Sequence, residues 1–307
     1  MTIQEQGAVL VTGAEGFLGR AVMNFLGGSR QRVIALDSLA ESFRPQNEST
    51  IKVVCDIRNQ TDLESVFEEK KIDAIIHLAA ILPTAAQRDP LLATQVNVGG
   101  SLNLLELARR FGVCRFVFGS SLSIYGSCSA DRVAPEADPA APEDVYGAAK
   151  LYIEQLGRAY AAFSPMQFVS LRIGRVVGKG AQSTTSAWRS EMFELLRADR
   201  PANIALPYAG SERVLLVYVE DAARALVTLL QNPPPAHGIY NAPCESWTVN
   251  ELKQKLELLN PNIRIAVGDS YAKGNPRLLD SARFQKEFGL ATVPLADRLR
   301  TAAGNKS

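Results

Sequence analysis

The sequence predicts a doubly wound α/β fold, a parallel sheet with helices on both faces, followed by a smaller mixed α/β lobe. Three observations point to it. Short apolar runs alternate with stretches of helical periodicity through the first half of the chain. The first run passes directly into a glycine-rich turn and then a helix. After Ile173 the order breaks into shorter elements separated by Gly178-Lys179-Gly180, Asn232-Pro233-Pro234-Pro235 and Asn260-Pro261.

Six strands are expected, at Ala8 to Thr12, Arg32 to Asp37, Lys52 to Asp56, Ala74 to Leu78, Arg115 to Ser120 and Gln167 to Ile173. Helices are expected at Gly16 to Gly27, Gln60 to Lys70, Pro90 to Phe111 and Val145 to Phe163. Each crossover is long enough for a right-handed helical connection between parallel strands. Residues 1–173 form the first domain in this reading and 174–307 mainly the substrate-binding lobe, some of whose elements return to the sheet. The later helices are placed at Ala187 to Arg197, Val219 to Gln231, Thr248 to Leu259 and Leu295 to Ala303. Ala130 to Glu143, rich in Ala, Pro and acids, reads as a surface loop.

The composition excludes several classes of function. Lys plus Arg (33) nearly balance Asp plus Glu (32), which speaks against a nucleic-acid or anionic-membrane partner. No apolar run is long enough for a membrane span and the N-terminus lacks the pattern of a signal peptide, so a cytoplasmic protein is expected. The 4 cysteines form no Cys-x-x-Cys pair and read mostly as core filler, with no metal site suggested. With only His77 and His237, a Ser-His-Asp hydrolase or a histidine-ligated metal is improbable. His77, ending an apolar run, reads as a packed, hydrogen-bonded residue.

The turn Gly13-Ala14-Glu15-Gly16-Phe17-Leu18-Gly19 has the strand-turn-helix context of a dinucleotide fingerprint. Gly13 permits the tight turn, Gly16 lets backbone N–H groups approach a pyrophosphate, and Gly19 lets the helix pack closely. Asp37, ending the second strand, would accept hydrogen bonds from a ribose diol and repel a 2′-phosphate, which favours NAD over NADP despite Arg44 nearby. Asp56 and Ile57 lie where an adenine would; Asp56 can alternatively be read as a helix N-cap. Tyr146 and Lys150 fall one helical turn apart on one face. A phenol titrates near ~10 in water, so Tyr146 needs a fixed cation to act as a base, and Lys150 is placed to supply one.

Together with His77-Leu78-Ala79-Ala80, Asn97-Val98-Gly99-Gly100 and Ser120-Ser121-Leu122-Ser123-Ile124-Tyr125-Gly126, these motifs make residues 8 to 180 resemble the extended short-chain dehydrogenase/reductase family, especially its NAD-dependent sugar epimerases and dehydrogenases. The resemblance implies a Rossmann-type sheet and a role for each matching position. Tyr146 would be the general acid/base, Lys150 would hold the nicotinamide ribose and lower the tyrosine pKa, and Ser121 would bond the reacting oxygen. Phe17, Leu18, Leu78, Ala79, Ala80, Asn97 and Ile173 would line the cofactor. Ser121, Ser123, Tyr146, Arg175 and Arg213 would meet the substrate, with Thr184, Thr185 and Trp188 as further candidates. Family members commonly dimerise through the helix after Asn97 and the helix of Tyr146, where Leu102, Leu105, Leu107, Leu151 and Ile153 would permit a homodimer or pack on the sheet.

Departures from relatives narrow the chemistry. Ser121 is followed by Leu122 and Ser123 where dehydratases carry Asp-Glu, and Ser123 replaces the Glu of decarboxylating relatives. The Cys and His pair of deoxysugar epimerase-reductases is missing too. What remains is reversible hydride transfer through a keto intermediate. The first reading is an NAD-dependent epimerase of a sugar or nucleotide sugar. The second is a dehydrogenase of a small hydroxy acid, sugar acid or amino acid alcohol, because Arg175 stands where nucleotide-sugar epimerases usually have Asn. A third, non-enzymatic reading is an NAD-sensing regulatory protein.

Overall fold

A computed structural model describes residues 7–28, 31–39, 49–128, 131–181 and 186–304. The chain opens with strand β1 (Ala8–Thr12), helix α1 (Phe17–Gly27), β2 (Val33–Asp37), β3 (Thr50–Val54), α2 (Gln60–Glu69) and β4 (Ile72–His77). Next come α3 (Pro83–Arg88), α4 (Pro90–Thr94), a π-helical turn at Gln95–Gly100, α5 (Ser101–Arg110), β5 (Arg115–Ser121), β6 (Val133–Ala134), α6 (Val145–Ala162) and β7 (Gln167–Ile173). The remainder is β8 (Arg175–Val177), α7 (Trp188–Glu194), β9 (Ala202–Tyr208), β10 (Arg213–Tyr218), α8 (Val219–Gln231), β11 (Ile239–Asn241), β12 (Glu245–Thr248), α9 (Val249–Leu259), β13 (Ile263–Ser270), β14 (Leu278–Leu279), α10 (Ala282–Phe288) and α11 (Leu295–Ala302).

The 7-stranded sheet runs β11-β7-β5-β4-β1-β2-β3, and every pair in it is parallel. The strand order reverses between β1 and β4, which opens a crevice at their C-terminal ends where ligands bind in such sheets. One face is covered by α1 and α8, whose Val22, Leu26, Ala222 and Leu226 share a core with Val9, Val11 and Val169. On the other face Leu63 of α2, Leu104 and Leu105 of α5 and Ile153 of α6 pack against Leu10, Ile75 and Phe116. Alternate residues of each central strand thus feed opposite cores, as a sheet buried on both faces requires.

The structure differs from the expectations in specific places. The third strand ends at Val54, and Asp56 turns out of it to bond the Arg58 N–H (2.9 Å). Asp56 is not the cap of α2; Asn59 is, accepting from Asp62 N–H. The helix expected over Pro90 to Phe111 contains the π-helical turn around Asn97. In the segment expected to be surface loop, Ala134 and Glu136 are buried, Glu136 accepting from the Asn241 N–H (2.9 Å). β11 extends the large sheet and α8 covers it, although both follow residue 173. Of the cysteines only Cys55 is buried outright, and Cys114 is exposed.

In the lobe, α7, α9 and α11 enclose a separate core with β9, β10 and β13, built on Trp188, Phe193, Leu216, Leu252 and Leu299. A 3-stranded sheet, β12-β10-β8, links it to the end of β7.

Candidate active site

The glycine cradle fits a dinucleotide. Gly13 adopts φ +69°, which only glycine takes without strain, and a Cβ there would lie 2.7 Å from the Ala79 nitrogen. A Cβ on Gly19 would drive into the Gly13 carbonyl, so the helix start can approach the turn only through glycine. Asp37 stands beside this cradle, its carboxylate accepting from the Glu15 N–H at 2.9 Å and the Leu39 N–H at 3.1 Å. Its remaining acceptor capacity suits a ribose diol. Arg44 lies outside the described residues. Asp37→Ala is expected to weaken NAD binding roughly ten- to hundredfold, the worth of one or two charge-assisted hydrogen bonds, with a smaller effect on NADP. Equilibrium titration with both dinucleotides checks it.

Around the crevice, Phe17, Leu18 and Leu78 are partly buried hydrophobics packed on the core that also holds Ile173. Ile173 pairs with Ser121 across β7 and β5. Ala79 packs with the opposite core and Ala80 packs beside Tyr146. An open cleft of about 680 Å³ is lined by Asp56, Arg58, Asn59, Gln95, Gly99, Leu102 and Asn103. The buried Ile57 lies so close to Gly100 that a Cβ on the glycine would come within 2.5 Å of its side chain.

Asn97 braces the loop after β4. Its amide accepts from the Ile81 N–H (2.7 Å) and donates to the Ile81 carbonyl (2.9 Å). Asn97 lies buried in the π-helical turn, a form that often marks functional sites. His77 belongs to the same scaffold. Ser101 Oγ donates to the Asn97 carbonyl, so it must accept from His77 Nε2 (2.8 Å), which leaves Nδ1 to accept from Thr12 Oγ1 (2.7 Å). Burial, with the Lys150 charge behind it, pushes the imidazole down to about 3 from 6.5. Between those values the unfolded chain binds a proton that the folded chain refuses. Stability is therefore expected to fall as pH drops from about 6.5 toward 3, by up to about 1.4 kcal/mol per pH unit from this group. Urea midpoints at a series of pH values check it, and His77→Asn should flatten the slope.

Tyr146, Lys150 and Ser121 meet where α6 crosses the end of β5. Asp144 caps α6 by accepting from the Gly147 N–H (2.6 Å). Gly147 lets the helix lie against the Ser123 carbonyl, from which a Cβ would be only 2.5 Å away. Ser121 Oγ accepts from the Ser123 N–H and donates to Ser123 Oγ, both at 3.1 Å, and all three of Ser121, Ser123 and Tyr146 are buried. Burial pushes the Tyr146 phenol up to about 12; Ser121 and the charge of Arg189 offset part of the rise. Lys150 Nζ donates to the Gly119 carbonyl (2.7 Å) and sits 4.5 Å from the Phe118 ring centre and 5.5 Å from that of Tyr146. Burial lowers its pKa to about 7, with Glu154 opposing. Arg189 thus joins Lys150 as a cation near the Tyr146 phenol, and the lysine ammonium is held by the Gly119 carbonyl.

The two arginines expected to meet the substrate lie on opposite faces of the small sheet. Leu216 of β10 pairs with Arg175 of β8, and Tyr218 with Val177. With side chains alternating along a strand, Arg175 shares a face with Leu216 and Val214, while Arg213 shares the other with Leu215. The packing agrees, since Leu216 and Val214 enter the lobe core and Leu215 packs with Leu122 and Tyr125. Arg213 donates weakly to Ser246 Oγ (3.5 Å). Arg189, which precedes Ser190 in α7, carries a charge that acts on Arg175 and on Tyr146. Trp188 is buried in the lobe core, and Thr184 and Thr185 lie outside the described residues. The sequence signal for Arg189 was slight, an arginine following a tryptophan at the start of a short apolar helix.

A family model, the NAD dependent epimerase/dehydratase family, matches residues 9–242. The UDP-glucose 4-epimerase of Lacticaseibacillus casei is 32% identical over 173 residues, which cover 55% of this chain and 52% of that protein. The chain thus spans about half the length of that relative. The mitochondrial L-threonine 3-dehydrogenase of Bos taurus is 24% identical over 298 residues, 93% of this chain and 78% of that one. Among solved structures, the UDP-glucose 4-epimerase of Thermus thermophilus in complex with NAD superposes with a TM-score of 0.83 at 26% identity, covering 97% of this chain and 98% of that chain. With the matched region containing both the glycine cradle and the Ser121, Tyr146 and Lys150 site, the chain belongs to the NAD-dependent epimerase/dehydratase family.

Proposed function

We propose that the protein is an NAD-dependent epimerase of a sugar or nucleotide sugar, working by reversible hydride transfer through a keto intermediate. The observation that carries this reading is the convergence of buried Ser121, Tyr146 and Lys150 beside a cradle that only glycines can form. Bound NAD supplies the hydride acceptor and donor. Tyr146, pushed up to about 12, is protonated at neutral pH and hands its proton to the oxygen of the keto group. In the opposite direction it takes the hydroxyl proton, helped by the positive charge of Arg189. Ser121 hydrogen-bonds the same oxygen and Lys150 positions the nicotinamide ribose.

A second reading, an NAD-dependent dehydrogenase of a small hydroxy acid, sugar acid or amino acid alcohol, draws on Arg189, whose charge acts on both Arg175 and Tyr146. The test is mass spectrometry of the nucleotide released from purified protein, with an NADH-absorbance screen over sugar nucleotides and free sugar acids. Retained NAD with epimer interconversion and no NADH build-up is the expected result. Steady NADH accumulation with one substrate would overturn the epimerase reading in favour of the dehydrogenase.

We also propose a homodimer in the cytoplasm. No helix among the described residues is long and apolar enough to cross a membrane. Leu105, Leu107 and Ile153 are buried within the subunit, which removes them from any interface, but Leu102 of α5 and Tyr152 of α6 are exposed. They offer apolar surface for pairing these helices.

A further inference from the structure

We infer that Arg189, with Arg175 beside it, is a receptor for a small oxyanion, a carboxylate or a phosphate, carried by the substrate next to the hydroxyl that Tyr146 serves. This rests on the hydride-transfer reading of the Tyr146 site and adds the chemical class of the molecule that enters it.

Arg189 is firmly held. Its helix drives Trp188, Met192 and Phe193 into the lobe core, and its carbonyl accepts from the Gly178 N–H at 3.1 Å, tying α7 to the turn after β8. Yet its Nε is buried with no hydrogen-bond partner. Buried polar atoms are nearly always paired, and a charged donor left unpaired is among the costliest exceptions. The neighbours make matters worse: Arg175 is a like charge, and Tyr208 and Tyr146 are the other groups that act on it. Burial and Arg175 together push the guanidinium down to about 10.

Arg175 in turn stacks over the Tyr208 ring at 5.4 Å, and Tyr208 meets Trp188 edge-on at 6.4 Å. Two other inward arginines are neutralised by carboxylates, Arg172 with Glu154 at 2.8 Å and Arg277 with Glu212 at 3.0 Å. Among the described residues no carboxylate acts on Arg189. Two guanidiniums and an unpaired buried donor are completed by a planar or tetrahedral oxyanion, which their forked geometry accepts. Because the Arg189 charge reaches the Tyr146 phenol, the anion would sit close to the reacting carbon, as in a hydroxy acid or a sugar acid, and a neutral alcohol would leave the pair unsatisfied.

The test is calorimetric titration of the NAD-loaded protein with malonate, with inorganic phosphate and with glucose, in wild type, Arg189→Met, Arg189→Lys and Arg213→Met, with NAD affinity measured in each. Expected are binding of malonate or phosphate but not glucose, a loss of roughly tenfold or more in Arg189→Met, partial retention in Arg189→Lys, and no change in Arg213→Met. The better-bound anion tells carboxylate from phosphate. Failure of both anions to bind wild type, or equal binding by Arg189→Met with its NAD affinity intact, would overturn the inference. Should Arg189→Met not fold, equal binding by wild type and Arg189→Lys, whose compact ammonium cannot reproduce the fork, would overturn it as well. Anion binding that depends on Arg189 with neither NADH formation nor epimer interconversion from any substrate would leave this receptor standing and refute the hydride-transfer reading instead.

Discussion

Tyr146→Phe is expected to lower turnover by about 10² to 10⁴, the usual worth of a positioned acid/base, while leaving NAD affinity and the fold unchanged. The substitution removes one buried oxygen and keeps the ring, which packs against Ala86 and Ala93. Burial raises the phenol's pKa, and Ser121 and Arg189 offset part of the rise. Removing Ser121 as well should cost less than the sum of the two single effects, because both groups serve the same oxygen. Steady-state rates and nucleotide titrations on the single and double variants measure this.

The largest effect on stability is expected from Arg172→Met, about 3–5 kcal/mol, because it strands a buried carboxylate. Arg172 and Glu154 are both almost fully buried, their closest contact 2.8 Å. Arg172 Nη1 also donates to Tyr125 Oη (2.8 Å) and to the Glu136 carbonyl (3.1 Å). Tyr125 Oη then donates to Asn241 Oδ1 at 2.7 Å, joining β7, α6 and β11 in one polar network. Glu154 stands one turn beyond Lys150 on α6, so the network also fixes the helix that carries the acid/base. Pairing the change with Glu154→Leu should recover much of the loss, since an apolar pair removes the unmatched charge. Urea unfolding of the single and double variants distinguishes a stranded charge from a general packing defect.

What the sequence revealed followed from local rules. Val219–Gln231 was legible to its ends because its apolar residues keep one helical face and Glu220 and Asp221 fill its first turn. The cradle was legible because glycine spacing after a strand has few structural meanings, and Tyr146 with Lys150 because a four-residue spacing fixes a shared helical face. That Arg213 and Arg175 lie on opposite faces was not legible for the opposite reason: which way a strand residue faces depends on register, and a one-residue offset reverses it. Arg189 and the brace of Asn97 on Ile81 were hidden because each depends on how distant segments pack. Leu105, Leu107 and Ile153 could have served a sheet or a partner equally well, and the sheet took them.

The central claim is that Tyr146 and its neighbours govern hydride transfer at a bound nicotinamide. It is tested most directly by supplying NADH deuterated at the transferring carbon to the wild type and to Tyr146→Phe, each with a panel of keto sugars and keto acids, and reading deuterium in the products by mass spectrometry. The account predicts label in the product of at least one substrate with the wild type, and a rate of labelling lower by about 10² or more with Tyr146→Phe. Equal labelling by the two proteins, or none by a wild type that binds NADH, would contradict it.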